Sequence, residues 1–191
     1  YSIQLGIVFF GLFLLTGYPG SASFDRYEPL DDAAIESFSF LDENGYPISL
    51  DQYKGKVVVL NIWSLGCNPC LNEMPSLDRL SGLYGEDELV VIPLNVDGSR
   101  LTIDKLKKFY DMQRYRYLRV FSDPKRDSQR ILKWQGLPTT YLIDKEGRLT
   151  GRLVGSIPWD GVDVQKAMDR MIQGKKPLKK KGVIDRVIDF F

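Results

Sequence analysis

The chain has 191 residues, of which 43% are hydrophobic and 27% charged, and its formal net charge is +1. That length suits one sizeable core rather than two ordinary domains, and a charge so near zero sets up no global field that would call for nucleic acid as a partner. There is no histidine and there are only two cysteines, which excludes Ser-His-Asp and Cys-His catalysis, every histidine-bearing zinc site and the usual four-ligand structural zinc site.

The first 23 residues differ from the rest. Leu5–Leu15, LGIVFFGLFLL, is an uncharged apolar run, followed by TGYPGSASF with small residues at Gly20, Ser21, Ala22 and Ser23. This is the pattern of a secretory signal with its cleavage site, or of a membrane anchor if the apolar run is longer than the part seen. Both place the folded part in the periplasm or another extracytoplasmic space, free or held at the inner membrane. Residues 24–36 are polar and without a clear period, and read as a linker.

From Ser37 to Leu50, SFSFLDENGYPISL alternates Phe38 and Phe40 with serines, turns at Asn44-Gly45 and returns through Ile48 and Leu50, a hairpin signal. Lys56–Trp63, KVVVLNIW, is the near-continuous β-branched run of a strand covered on both faces. After the cysteines, Leu77, Leu80 and Leu83 recur at helical spacing up to Gly85, with a kink expected at Pro75. ELVVIPLNVD predicts a second buried strand. LTIDKLKKFYDM predicts a helix with Leu101, Leu106 and Phe109 on one face, and YLRVFSD a third strand. SQRILKWQG reads as a short helix with Trp134 in the core, TTYLIDKEGRLTGRLVG as a hairpin turning at DKEG, and DGVDVQKAMDRMIQG as a final helix. The order argues one α/β domain with a mixed central sheet.

Cys67 and Cys70 stand three apart where a buried strand passes through a turn into a helix at about Asn68–Pro69, proline being favoured in a first helical turn. Cys67 then meets the unpaired N–H groups at the positive helix end, which stabilise a thiolate. A fall in its pKa from about 8.5 to about 7 amounts to roughly 2 kcal/mol. Cys70, a turn further in, is shielded and suited to attacking a mixed disulfide on Cys67. The bland reading is an inert staple, but a disulfide closing so short a loop constrains the unfolded chain little.

VVVLNIWSLGCNPCLNEMPSL and GLPTTYLIDKEGRLTGRLVG together resemble the TlpA/ResA/CcmG group of thioredoxin-like thiol-disulfide oxidoreductases, over roughly residues 38–173. The resemblance implies a thioredoxin fold with an N-terminal hairpin, here Ser37–Leu50, and an αβ insertion, here about Ser99–Phe121. It makes 37–174 the domain, between the linker and a basic, amphipathic tail at 175–191. It implies Cys67 as attacking and Cys70 as resolving cysteine, Pro138 as a cis-proline facing the disulfide, and Leu137 before it lining the site. Asn61 stands where thioredoxin has a buried acid. Glu73 matches the group's glutamate, and its i, i+3 spacing puts it over Cys70, either as a proton acceptor whose pKa rises on burial or as an exposed glutamate favoured by the helix dipole. One departure is Gly66, where the group commonly carries tryptophan before the first cysteine. Trp159 reads as packing.

The function implied is an exported disulfide reductase that needs no cofactor or metal. Its clients would be proteins of cytochrome c maturation or copper-oxidase assembly, and a membrane thiol donor of the DsbD/CcdA type would supply its electrons. Two alternatives use the same thiols, a Cu(I) carrier and a disulfide oxidant. A peroxidase reading lacks its Pro-x-x-x-Thr-x-x-Cys motif. The tail, with five lysines between Lys175 and Lys181, is either a solvated basic end or a contact for anionic lipid or a partner.

Overall fold

The structure, a computed structural model, describes residues 24–177. Within them the elements run β1 Glu28–Ala34, β2 Ser39–Leu41, β3 Pro47–Ser49, β4 Val57–Trp63, α1 Asn68–Leu83, β5 Leu89–Asn95, α2 Ile103–Gln113, β6 Phe121–Ser122, α3 Asp127–Leu132, β7 Thr139–Ile143, β8 Arg148–Val154 and α4 Val162–Ile172. The expected leader or anchor at 1–23 and the tail from residue 178 lie outside the described residues. Among the described residues no helix is long and apolar enough to cross a membrane.

The strands form one mixed sheet in the order β1-β8-β7-β4-β5-β6-β2-β3. β4, every residue of it buried, pairs parallel with β5 and antiparallel with β7. Alternation along β4 supplies two cores. Val57, Val59 and Trp63 face one, with Met74, Leu77 and Leu80 of α1, Leu106 of α2 and Met168 of α4. Val58, Leu60 and Ile62 face the other, with Phe38, Phe40, Phe121, Leu132 and Trp134. Asn61 shares the parity of Val59 and Trp63, so the sheet turns its one polar β4 residue toward the face that α1 covers. Pro93 is tolerated inside β5 because β6 pairs only with Leu94 and Asn95, leaving the strand an edge at that point.

The linker reading of 24–36 is corrected. Phe24 and Tyr27 are buried and stack with ring centroids 5.1 Å apart, and Tyr27 donates its hydroxyl to the Thr150 carbonyl at 2.7 Å. Residues 28–34 then pair antiparallel with β8 as the outermost strand. Most of its side chains reach solvent, so the segment lacks the apolar alternation that marks a half-buried strand. The ring of Tyr27 lies where Gly151 has no side chain, and a Cβ there would fall inside it.

Three smaller differences have local causes. The hairpin turn at Asn44-Gly45 widens to a loop over Asp42–Tyr46, because the Asp42 side chain accepts the N–H groups of Asn44 (2.9 Å) and Tyr46 (2.8 Å). The strand expected over Tyr117–Asp123 shrinks to Phe121–Ser122. The buried Asp78 carboxylate takes the N–H groups of Arg116, Tyr117 and Leu118 at 2.8–3.2 Å, away from any ladder. Pro75 does not interrupt α1, which runs as one helix from Asn68 to Leu83.

Candidate active site

Beyond Trp63 the chain leaves the sheet through Ser64–Gly66 and enters α1 at Cys67. Asp97 fixes this exit: its carboxylate accepts the Leu65 N–H at 2.8 Å and the Asn95 amide at 2.7 Å, while Val96 N–H closes on the Trp63 carbonyl at 2.9 Å. Nothing in the cysteine motif pointed to Asp97. Cys67 is the N-cap of α1, with extended backbone, and its Sγ accepts the Cys70 N–H at 3.2 Å. The two sulfurs are joined in a disulfide. Cys70 is fully buried, whereas Cys67 is half-buried and borders Gly66, which is exposed. The pair is thus asymmetric: one sulfur at the helix mouth, one inside.

One turn further along α1, Glu73 is only 2% exposed. Its Oε1 accepts the Asn61 amide at 2.8 Å; its Oε2 accepts the Trp159 indole N–H at 2.9 Å and the Ile157 N–H at 3.2 Å. The Asn61 amide also donates to Thr140 Oγ1 at 2.8 Å, tying α1, β4 and β7 together. Burial pushes the Glu73 carboxyl up to about 7, against the opposing pull of these donors. The exposed-glutamate reading therefore does not hold. Trp159, read as packing, is indeed fully buried but donates its indole N–H to this carboxylate. Its place after Ser156-Ile157-Pro158 carries no signal of that.

Pro138 stands on a different element. Thr139 pairs with Ile62 in the β4–β7 ladder, so Pro138 lies level with Trp63, at the sheet end from which the cysteine turn departs. The Leu137–Pro138 peptide is cis, and the Pro138 carbonyl accepts the Gly155 N–H at 2.8 Å. Leu137 and Cys67, both half-buried, pack against the same apolar cluster. Among the described residues no group of three or more histidine, cysteine, aspartate or glutamate side chains is placed to hold a metal ion. The arrangement provides a disulfide at a helix N-terminus, a buried carboxyl one turn behind it and a cis-proline at the same end of the sheet.

Residues 31–152 match the AhpC/TSA family. The chain is 30% identical over 152 residues to a thiol-disulfide oxidoreductase ResA of Bacillus cereus, covering 75% of this chain and 84% of that one. Among solved structures, a thiol:disulfide interchange protein DsbE from Chlorobium tepidum superposes with a TM-score of 0.60 at 26% identity, over 76% of this chain and 97% of that one. An exposed lipoprotein thioredoxin of Streptococcus pneumoniae gives 0.57 at 29% identity, over 66% and 95%. With its thioredoxin-like sheet and its cysteine pair, the chain belongs to the AhpC/TSA family and is a thiol-disulfide oxidoreductase of the ResA/DsbE type.

Proposed function

We propose that the protein reduces disulfides in client proteins outside the cytoplasm. The observation that carries this reading is the asymmetry of the pair, Cys67 half-buried at the helix mouth and Cys70 fully buried, three residues before the buried Glu73. Cys67, as a thiolate held by the helix N-terminus, attacks one sulfur of a client disulfide. That S–S bond breaks, a Cys67–client disulfide forms, and the departing client sulfur takes a proton from solvent. Cys70 then gives its proton to Glu73 and attacks the Cys67 sulfur. The second client sulfur leaves and is protonated, and the Cys67–Cys70 disulfide closes. Two electrons have passed to the client. Glu73, with a pKa of about 7, is partly ionised at neutral pH and so suited to accept and return this proton. Pro138 and Leu137 border the place where the client chain lies.

Each cycle needs two electrons back, and a membrane thiol protein of the DsbD/CcdA type is the donor proposed. Clients are proteins of cytochrome c maturation or of copper-oxidase assembly, whose cysteines must be reduced to take haem or metal. Export rests on the apolar run Leu5–Leu15 and on the similarity to an exposed lipoprotein of Streptococcus pneumoniae. The domain proper then extends from Phe24, anchored by its aromatic ring, to the end of α4.

The test is the equilibrium reduction potential of Cys67–Cys70 against a thiol buffer. A value near or below that of thioredoxin, about −270 mV, is expected of a reductase. A value near that of a strong oxidant, about −120 mV, would reverse the electron flow and overturn the assignment.

A further inference from the structure

Between β8 and α4 the chain crosses the site through Gly155–Gly161, and its donors reach two parts of it. At one end Gly155 N–H meets the carbonyl of Pro138 at 2.8 Å. At the other, Trp159 is clasped to α1 twice. Its backbone N–H donates to Ser76 Oγ at 3.0 Å, and Ser76 in turn donates to the Glu73 carbonyl at 2.7 Å; its indole N–H reaches Glu73 Oε2 at 2.9 Å. Arg79 and Asp160, paired at 2.6 Å, close the same seam on the outside. An indole N–H is a donor only, and a tryptophan with no polar task in a core could give way to an apolar ring at no polar cost. Here the fully buried donor is aimed at a fully formed partner, a side-chain oxygen of the buried acid.

We propose that Trp159 is a positioning residue for Glu73: its indole N–H holds the carboxylate in place against α1 and favours its ionised form. The other groups around Glu73 leave this role to hydrogen bonds rather than to charge. β4 and β7 present Asn61 and Thr140, which do not titrate. On α1, Cys67 and Cys70 are joined, and Asp78 is taken up by the N–H groups of Arg116, Tyr117 and Leu118. Arg79 and Asp160 offset one another, and the buried residues of α4 are all apolar. Loss of the indole donor therefore favours the protonated carboxyl, and the proton is held to a higher pH.

The catalytic consequence rests on the reading of Glu73 as proton acceptor; the contact itself does not, so the two are tested apart. In the oxidised protein neither cysteine titrates, and the three indole N–H resonances of isotope-labelled protein report on the three tryptophans. The resonance of Trp159, identified by its loss in Trp159→Phe or by sequential assignment if that variant does not fold, is expected to titrate with a midpoint of about 7. In Glu73→Gln it is expected to stay flat. In the reduced protein, Trp159→Phe is expected to raise the Glu73-dependent inflection in the pH profile of Cys67 alkylation by about one pH unit, and to add no change in a Glu73→Gln background. A Trp159 indole resonance that has the same position in wild type and Glu73→Gln at every pH between about 5 and about 9 overturns the inference. An alkylation profile identical in wild type and Glu73→Gln, with the indole still titrating, overturns instead the role of Glu73 and leaves the contact standing.

Discussion

At Glu73 two effects oppose one another. Burial disfavours the charge, while the N–H groups of Asn61, Trp159 and Ile157 favour it, and burial wins. The folded chain therefore binds this proton more tightly than the unfolded chain, with a pKa of about 7 against an ordinary 4.5. The stability this contributes is fully present below about pH 4.5 and is lost as pH rises through about 7, a total of about 3 kcal/mol. Urea unfolding of the oxidised protein is thus expected to show a midpoint that falls across that range, and the slope is expected to flatten in Glu73→Gln. A neutral side chain fits the site if the Asn61 amide turns over. Asn61 Oδ1 has no hydrogen-bond partner among the described residues, so it can accept the proton of a carboxylic acid or the N–H of glutamine. A wild-type midpoint independent of pH would mean that the donors, not burial, decide the charge. Gly66 poses a different residue-scale question. It is exposed, its φ is not in the left-handed region, and a Cβ there meets nothing within 4 Å. Gly66→Trp is expected to change stability by no more than about 0.5 kcal/mol and to slow alkylation of Cys67, because the ring covers a sulfur that glycine leaves open.

Elements differ in how far their own residues announce them. VVVLNIW announces β4 because both its faces are buried, and the Cys-Asn-Pro-Cys turn announces the start of α1 because proline and an N-cap belong there. Glu73 at i, i+3 from Cys70 was legible as a candidate, and Asn61 as the residue standing where thioredoxin has a buried acid. Their meeting was not, since it depends on β4, α1 and the β8–α4 loop converging. Trp159 and Asp97 act through donors and acceptors contributed by segments far away in sequence, which no local pattern records. β1 is hidden for the opposite reason: an outer strand with exposed faces has the composition of a loop, and only Phe24 and Tyr27 show that it is anchored. That anchoring can be measured. Tyr27→Ala removes a buried ring and the bond to Thr150, and is expected to cost about 3 kcal/mol in chemical unfolding. Because β1 lies at the far edge from β4, separated by β8 and β7, the alkylation rate of Cys67 at neutral pH is expected not to change. Equal loss of stability and of cysteine reactivity would mean that the edge strand also shapes the site.

For the molecule as a whole, the redox state of two atoms and the folding equilibrium are linked by one thermodynamic cycle. If folding favours the disulfide over the dithiol, the folded pair is harder to reduce than the unfolded pair, and the protein donates electrons. If folding favours the dithiol, as in a strong oxidant, the direction reverses. Two local terms compete. The N-terminus of α1 and the Cys70 N–H, which donates to Cys67 Sγ, stabilise a thiolate and so favour the reduced form. Glu73, within two turns of Cys67 on α1 and partly ionised at neutral pH, adds a like charge that opposes this thiolate and favours the oxidised form. The loop closed by Cys67 and Cys70 is short, with a sequence separation of 3, and its closure in the unfolded chain adds about 2 kcal/mol in favour of the folded disulfide. That matches the roughly 2 kcal/mol of the Cys67 pKa fall, so loop closure and electrostatics together decide the sign. With loop closure and the Glu73 charge on one side and the helix N-terminus on the other, the oxidised form is expected to be the more stable toward denaturant at pH 7. Each 1.4 kcal/mol of difference lowers the folded pair's potential by about 30 mV relative to the unfolded pair. Parallel unfolding curves of the oxidised and reduced protein measure this without any client or donor. A reduced form that unfolds at the higher denaturant concentration would mean that the helix N-terminus outweighs loop closure and the Glu73 charge, and that this fold serves to oxidise rather than to reduce.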